Sequence, residues 1–412
     1  MHLSTRITVL AFCAITIAAC GNHKAKSTTE TTTTTTKDST VLKRDSSVVT
    51  IGKDVNRDVR NKWNDIALYL AGMKPDSFIA IPERLQNMSY YKQFCDSMDK
   101  GFQSIETNRL SKMRAWAKTE LATEQANPKT VLYPFSGPDI LHCLQFFPDA
   151  DQYIMIALER FGSLPIMDHM DSLKTVHTLD YVHQSLEDII GKSYFITKKM
   201  ALNVSNQYNG VTPLACIFLV RSGYSILDIK YKHLLDDGKT FVDQPLDSMG
   251  HHVNDCVEIY FRKHGSNKIQ KLTYFKANIS DDEYLGAPGL KTNVGFKAFL
   301  DNLPECYTYA KSASYRMCQS GFSIIRSACI NKSKMILQDD TGIAFGFLNN
   351  DKWKITLYGN YEKPISDFQG GYYQAGLQAA YKADSANIKP LPFSLGYHWK
   401  DQVQNLMKFE KK

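Results

Sequence analysis

The sequence predicts an α/β fold: a strand–helix–strand unit in a mixed sheet with antiparallel hairpins, preceded by helices. Three patterns predict it. Two apolar runs, Val131 to Phe135 and Tyr153 to Leu158, flank an apolar helical stretch through Phe147, with the turn Ser136-Gly137-Pro138-Asp139 between the first run and the helix. Past Val211 the apolar period shortens to that of strands joined by short turns, and short connections force antiparallel pairing. Between Trp63 and Pro128 the apolar residues recur instead at helical spacing.

The chain has 412 residues, 43% hydrophobic and 22% charged, enough to bury a core of one large or two ordinary domains. Residues 1–19 read as a signal peptide, because a basic start (His2, Arg6) leads into an apolar run, Ile7 to Ala19, too short to span a bilayer. The run ends Ile17-Ala18-Ala19-Cys20-Gly21, which resembles the bacterial lipobox. That resemblance implies acylation of the Cys20 thiol, cleavage before it, and a membrane anchor in the bacterial cell envelope, at the outer membrane.

Residues 20–62 read as a tether. Ser27 to Thr36 holds eight Thr in ten residues, and apolar residues are nearly absent before Val41. Residues 21–62 carry nine Lys/Arg against five Asp/Glu; without this surplus and Arg6, the net charge of +7 falls to +2 for residues 63–412. The basic balance therefore belongs to the tether, which argues against nucleic-acid binding. Asp38-Ser39-Thr40 resembles a short acceptor sequence for O-linked glycans, and reads equally as an unmodified linker. Once Cys13 leaves with the signal and Cys20 is acylated, seven cysteines remain. Their spacings are long and irregular, so most are expected as buried thiols, with one bridge open among Cys306, Cys318 and Cys329.

Residues 63–128 form a helical lead-in, ending in a long helix in which Leu110, Met113, Trp116, Ala117 and Leu121 recur after a cap at Asn108, with Pro128 as its stop. Residues 129–235 form a Rossmann-like α/β region: the strand–helix–strand unit ending at Glu159, an amphipathic helix over 166–190, then strands at Leu214 to Val220 and Ser225 to Tyr231. Residues 236–412 form a mixed α+β region packed on it. It has strands at Val257 to Arg262, Lys271 to Lys276, Met335 to Leu337 and Trp353 to Tyr358, and helices at Val294 to Leu303 and Phe322 to Cys329.

Two strand-end turns carry the candidate ligand-binding residues. In the first, Ser136, Gly137 and Asp139, with Glu159 closing the next strand, resemble the first cofactor motif of Rossmann-like methyltransferases. The segment lacks that family's G-x-G, and helix-end chemistry also accounts for it: Ser136 fits an N-cap with Asp139 at the third helical position. In the second, Gln338, Asp339, Asp340 and Gly342 end an apolar run. Asp340-Thr341-Gly342 is the tripeptide of aspartic peptidases, which need two such loops; this chain has one, and a turn built on Asp and Gly accounts for it. No cofactor is expected. The spacing of His169, His177 and His183, and the adjacent His251-His252, match no metal site.

The lipobox, Y-P-F-S-G-P-D at 133–139, K-S-A-S-Y at 311–315, Q-D-D-T-G at 338–342 and L-Y-G-N-Y at 357–361 together resemble a group of uncharacterised bacterial envelope lipoproteins, over most of the chain from about residue 129. The resemblance implies the envelope and brings no activity with it. Two readings follow from the residues: a lipid-anchored module binding a small molecule or a protein, and a hydrolase using Asp139, Asp339 or Asp340 as acid or base near Ser136.

Overall fold

The computed structural model describes residues 60–126, 129–194, 210–245, 254–285, 293–362, 365, 372–399 and 403–412. The signal segment 1–19, Cys20, the tether up to residue 59, Pro128 and His251-His252 lie outside them; the last residues assigned to the tether, Asn61 and Lys62, instead cap and begin the first helix.

The lead-in is helical. α1 (Lys62–Leu70) is capped by Asn61, whose side chain accepts from the Asn64 amide. After the short α2 (Glu83–Gln86), α3 (Ser89–Ile105) passes through a π-helical turn at Glu106–Leu110 straight into α4 (Ser111–Glu120), with α5 (Ala122–Ala126) behind it. Asn108 therefore caps nothing. It lies within one long helical run, its side-chain amide donating to Ser104 Oγ at 3.4 Å.

The predicted strand–helix–strand unit is β1 (Thr130–Pro134), α6 (Ile140–Phe146) and β2 (Gln152–Ala157), with the strands parallel. α7 (Ser172–Lys192) follows, capped by Asp171. The run Leu214 to Val220, expected as a strand, is part of the helix α8 (Thr212–Arg221), whose first nine residues are all buried. An apolar run without periodicity fits a helix buried on every side as well as a strand. Pro213 in the first turn, where its missing N–H costs nothing, starts the helix.

Then come β3 (Tyr224–Leu234), β4 (Phe241–Asp243), β5 (Asp255–Lys263) and β6 (Ile269–Lys276), antiparallel in the order β4-β3-β5-β6. The chain closes with α9 (Asp282–Leu285), α10 (Val294–Asn302), β7 (Cys306–Ala310), a 3₁₀ segment at Ser312–Cys318, α11 (Ser323–Lys332), β8 (Ser333–Gln338), α12 (Phe345–Leu348), β9 (Trp353–Gly359), α13 (Ala375–Ala383) and β10 (Asn405–Lys411).

Among the described residues these strands form one mixed sheet, β4-β3-β5-β6-β2-β1-β7-β8-β10-β9. Its five central strands, β6, β2, β1, β7 and β8, run parallel; antiparallel strands complete both flanks. Strands of the 236–412 region lie on both sides of the β1–β2 pair, so the two expected regions share one sheet, and the described residues all belong to one compact unit.

Alternation along the strands sorts the core into two layers. Val131, Tyr133, Tyr153, Met155 and Leu337 face the helices α1 to α8, while Leu132, Ile154, Ile156 and Ile336 face α10 to α13. All seven cysteines outside the first 59 residues are free thiols, and six are buried, so no bridge joins Cys306, Cys318 and Cys329.

Candidate functional site

In an open α/β sheet the crevice forms at the carboxyl ends of the parallel strands, where the strand order reverses. Here the chain goes from β1 to β2 on one side, and later places β7 and β8 on the other. The reversal thus lies between β1 and β7. Both predicted turns emerge on this edge, since 135–139 follow β1 and 338–342 belong to the end of β8. Glu159, two residues past β2, is on the same edge, with its carbonyl accepting from Tyr274 Oη at 3.1 Å.

The backbone on this edge is unusual. Among the described residues, Phe135, Ser193 and Ser312 are the non-glycine residues with positive φ, at 56°, 70° and 57°. Phe135 and Ser312 follow the ends of β1 and β7, and Ser193 is the left-handed C-cap of α7. Left-handed backbone in a residue with a Cβ costs on the order of 1–3 kcal/mol and concentrates at working sites.

Asp139 caps α6, replacing the expected Ser136. Its carboxylate accepts from the His142 amide at 3.2 Å, whereas Ser136 Oγ donates to the Gly137 carbonyl at 2.9 Å and its amide to the Ile156 carbonyl at 3.1 Å. The cap thus falls three residues later than the capping-box reading placed it. Gly137, at φ 53°, supplies the left-handed step that brings Asp139 to the helix end.

The rest of Asp139 faces inward. Its Oδ1 lies 2.8 Å from His142 Nδ1, and its Oδ2 2.7 Å from Lys311 Nζ and 3.3 Å from Tyr133 Oη. Lys311, the residue after β7, also donates to the Ser193 carbonyl at 2.8 Å. Burial alone would raise the Asp139 pKa, but His142 and Lys311 outweigh it and hold the carboxyl well below its ordinary range. Burial pushes His142 down to about 4 against the pull of Asp139, so near neutral pH the ring is uncharged. With its Nδ1 hydrogen on Asp139, its Nε2 is a bare acceptor, and that buried atom has no hydrogen-bond partner.

On the second turn the two carboxylates diverge. Asp340 is fully buried, 3.1 Å from His398 Nε2 and 3.1 Å from Asn405 Nδ2, and its amide donates to Asn405 Oδ1 at 2.7 Å. Asp339 Oδ1 accepts from the Thr341 amide at 2.9 Å and from the Thr341 hydroxyl. Its Oδ2 is buried without a partner. Burial and the neighbouring Asp340 charge raise the Asp339 carboxyl to about 7, against the Thr341 bonds and His398.

Gln338 braces this turn by exchanging hydrogen bonds with the Ile343 backbone at 2.7 and 2.8 Å. Gly342 leaves room for it, because a Cβ there would collide with the Gln338 side chain. Gly396, at φ 59°, packs equally close to the neighbouring carboxylate: a Cβ would collide with Asp339 Oδ2 and come within 3.6 Å of Ser312 Oγ.

The edge therefore gathers buried polar atoms that have no hydrogen-bond partner: Asp339 Oδ2, Ser312 Oγ, Ser193 Oγ, His142 Nε2 and Tyr309 Oη. Tyr309 tilts against Tyr133 with ring centroids 4.7 Å apart, and the Asp139 and Asp339 charges both act on each of these rings. Among the described residues no group of three or more His, Cys, Asp or Glu is placed to hold a metal ion. A separate depression of about 910 Å³ opens beside α3 and the π-helical turn, lined by Asp99, Phe102, Glu106, Leu110 and Arg221 among others; it contains none of the strand-end residues, and Arg221 is already paired with Asp99 and the Ala71 carbonyl.

Lys311, His142, His398 and Asn405 were not among the expected site residues. His142 had a signal, standing three residues after an acidic residue at a helix start, and Lys311 lies in the K-S-A-S-Y segment directly after a strand. His398 and Asn405 reach Asp340 from 58 and 65 residues away, and no local pattern marks them.

The fold and this edge define a mixed-sheet α/β protein with a buried polar centre at its strand-order reversal. Comparison with protein-family models, curated protein sequences and solved structures finds no match to the chain.

Proposed function

We propose that this is a lipid-anchored bacterial envelope protein, held by an acylated Cys20 at the outer membrane, whose α/β body binds a small polar ligand between β1, β7 and β8. One observation carries the binding reading: five buried polar atoms without partners belong to residues gathered on one strand-end edge. A buried polar group left unsatisfied costs about 1–3 kcal/mol, so a fold that concentrates several such groups has a use for them. Asp339 Oδ2 and His142 Nε2 offer acceptors, and three hydroxyls offer either role. The complementary ligand is rich in O–H or N–H donors, such as a polyol or an amine. Among the described residues no helix is long and apolar enough to cross a membrane, so attachment by an N-terminal lipid fits this body.

Thermal-shift measurements on the intact chain with polyols, amino sugars and amines test the reading. The expected result is a rise in Tm with at least one of them that Asp339→Ala abolishes. Stabilisation that persists undiminished in Asp339→Ala would move the ligand elsewhere.

The hydrolase reading is favoured by one observation, the raised proton affinity of Asp339, which suits an acid or base near neutral pH. Ser136, the serine expected near these carboxylates, donates its hydroxyl to the Gly137 carbonyl at 2.9 Å.

A further inference from the structure

We infer that Ser312 is an acyl-accepting nucleophile and Asp339 the base that takes its proton, which makes this strand-end edge an esterase site. This deepens the ligand-binding reading and rests on it.

Four features converge on Ser312. It sits at a strand-to-helix turn, between β7 and the 3₁₀ segment that begins with it. Its φ of 57° is strained for a side-chain-bearing residue, and a sharp strained turn at a strand end is how α/β hydrolases present a serine. Its Oγ is buried without a hydrogen-bond partner, unlike Ser314 in the same segment, which donates to the Pro134 carbonyl at 3.1 Å. Finally, Ser312 Oγ and Asp339 Oδ2 both border Gly396 and make no hydrogen bond to each other, so the proton transfer requires the serine or the carboxylate to turn toward its partner when substrate binds. Only a glycine fits at that point, because its φ is positive and a Cβ would collide with the carboxylate oxygen.

The step balances. Ser312 Oγ attacks the carbonyl carbon of an ester as its proton passes to Asp339 Oδ2. The carbonyl re-forms as the bond to the alkoxy oxygen breaks, and the departing alcohol takes that proton. Water then repeats the path on the acyl-serine, releasing the acid and restoring both side chains. A raised Asp339 pKa places its proton exchange near neutrality, as this role requires. Lys311, paired with Asp139 and the Ser193 carbonyl, anchors the turn that carries Ser312.

The test is covalent labelling of the full chain with a fluorophosphonate, read by intact mass and peptide mapping. The wild type is expected to take one phosphonyl group, on Ser312. Ser312→Ala takes none, Asp339→Asn labels at least ten-fold more slowly, and Ser172→Ala, on the exposed start of α7, labels as wild type. Thermal unfolding of Ser312→Ala at the wild-type temperature shows that lost labelling is not lost folding. No adduct on the wild type, or an adduct that survives in Ser312→Ala, overturns the proposal. A polyol or amine that stabilises wild type and Ser312→Ala alike, with no labelling of either, would leave the binding reading standing and remove only the nucleophile.

Discussion

Lys311 Nζ stands 2.7 Å from Asp139 Oδ2 across the reversal between β1 and β7, with both side chains 2% exposed. The pair joins two segments 172 residues apart in sequence and closes the parallel sheet at the point where its connectivity divides. Lys311 also holds the Ser193 carbonyl at the end of α7, so a single ammonium ties three segments to one place.

Such a pair contributes little against an apolar replacement but is costly to break from one side, because the surviving charge stays buried. Asp139→Asn and Lys311→Met are each expected to cost about 3–5 kcal/mol, read by urea unfolding at pH 7. The double variant Asp139→Leu/Lys311→Met should lose clearly less than the sum. Ser136→Ala should cost no more than about 1 kcal/mol, since its hydroxyl does not cap the helix. A larger loss at Ser136 than at Asp139 would return the cap to Ser136.

The strand–helix–strand unit and both turns were legible because each depends on neighbours in sequence: apolar runs of strand length, then Gly, Pro and Asp at the break. The run at 214–220 was not, because burial on every side erases the periodicity that separates helix from strand. Asn108 misled for a related reason. A good capping residue also tolerates a helical interior, where here its side chain meets Ser104 one turn back. Of the site, the carboxylates could be read and their partners could not. What Asp139 and Asp340 do is decided by Lys311 and His398, which only the folded sheet brings to them.

His142 sets one pH dependence. Its pKa is lowered from 6.5 to about 4 by burial, so below pH 6.5 the unfolded chain binds a proton that the native ring refuses. Stability therefore falls as pH drops from 6.5 toward 4, at up to about 1.4 kcal/mol per pH unit. His142→Phe should remove this component, seen as a shallower dependence of urea-unfolding free energy over that interval. An unchanged slope would place the responsible group elsewhere.

Asp339 acts in the opposite sense. Its native carboxyl, raised to about 7, keeps its proton where the unfolded chain has lost it. Its contribution is full below about pH 4 and is lost as pH rises through about 7. Asp339→Asn should therefore gain on wild type by a few kcal/mol between pH 4 and pH 7, at up to about 1.4 kcal/mol per unit, and level off above that. A difference that stays flat over this range would contradict the raised carboxyl.

The anchor is tested at Cys20. Cys20→Ala should abolish incorporation of radiolabelled palmitate and leave precursor still carrying residues 1–19, because acylation and cleavage both need the thiol. Normal labelling of the variant would remove the lipoprotein assignment, and with it the outer-membrane placement.

Gly396→Ala separates a built site from a well-packed turn. At φ 59° an alanine is strained by roughly 1–2 kcal/mol, and its Cβ meets Asp339 Oδ2, so the turn or the carboxylate has to move. If Asp339 Oδ2 and Ser312 Oγ merely pack against Gly396, the variant loses about 2–4 kcal/mol of stability from strain and collision, and its response to ligand falls only in proportion to the unfolded fraction. If the two oxygens form a ligand contact surface, the methyl group occupies that surface, and stabilisation by the best polyol or amine disappears even at temperatures where circular dichroism shows the variant fully folded. The second outcome is expected, because the carboxylate oxygen and the hydroxyl are both buried, both without partners, and both border this one glycine. A Gly396→Ala variant that stays folded and binds as wild type would leave the polar edge a feature of folding alone.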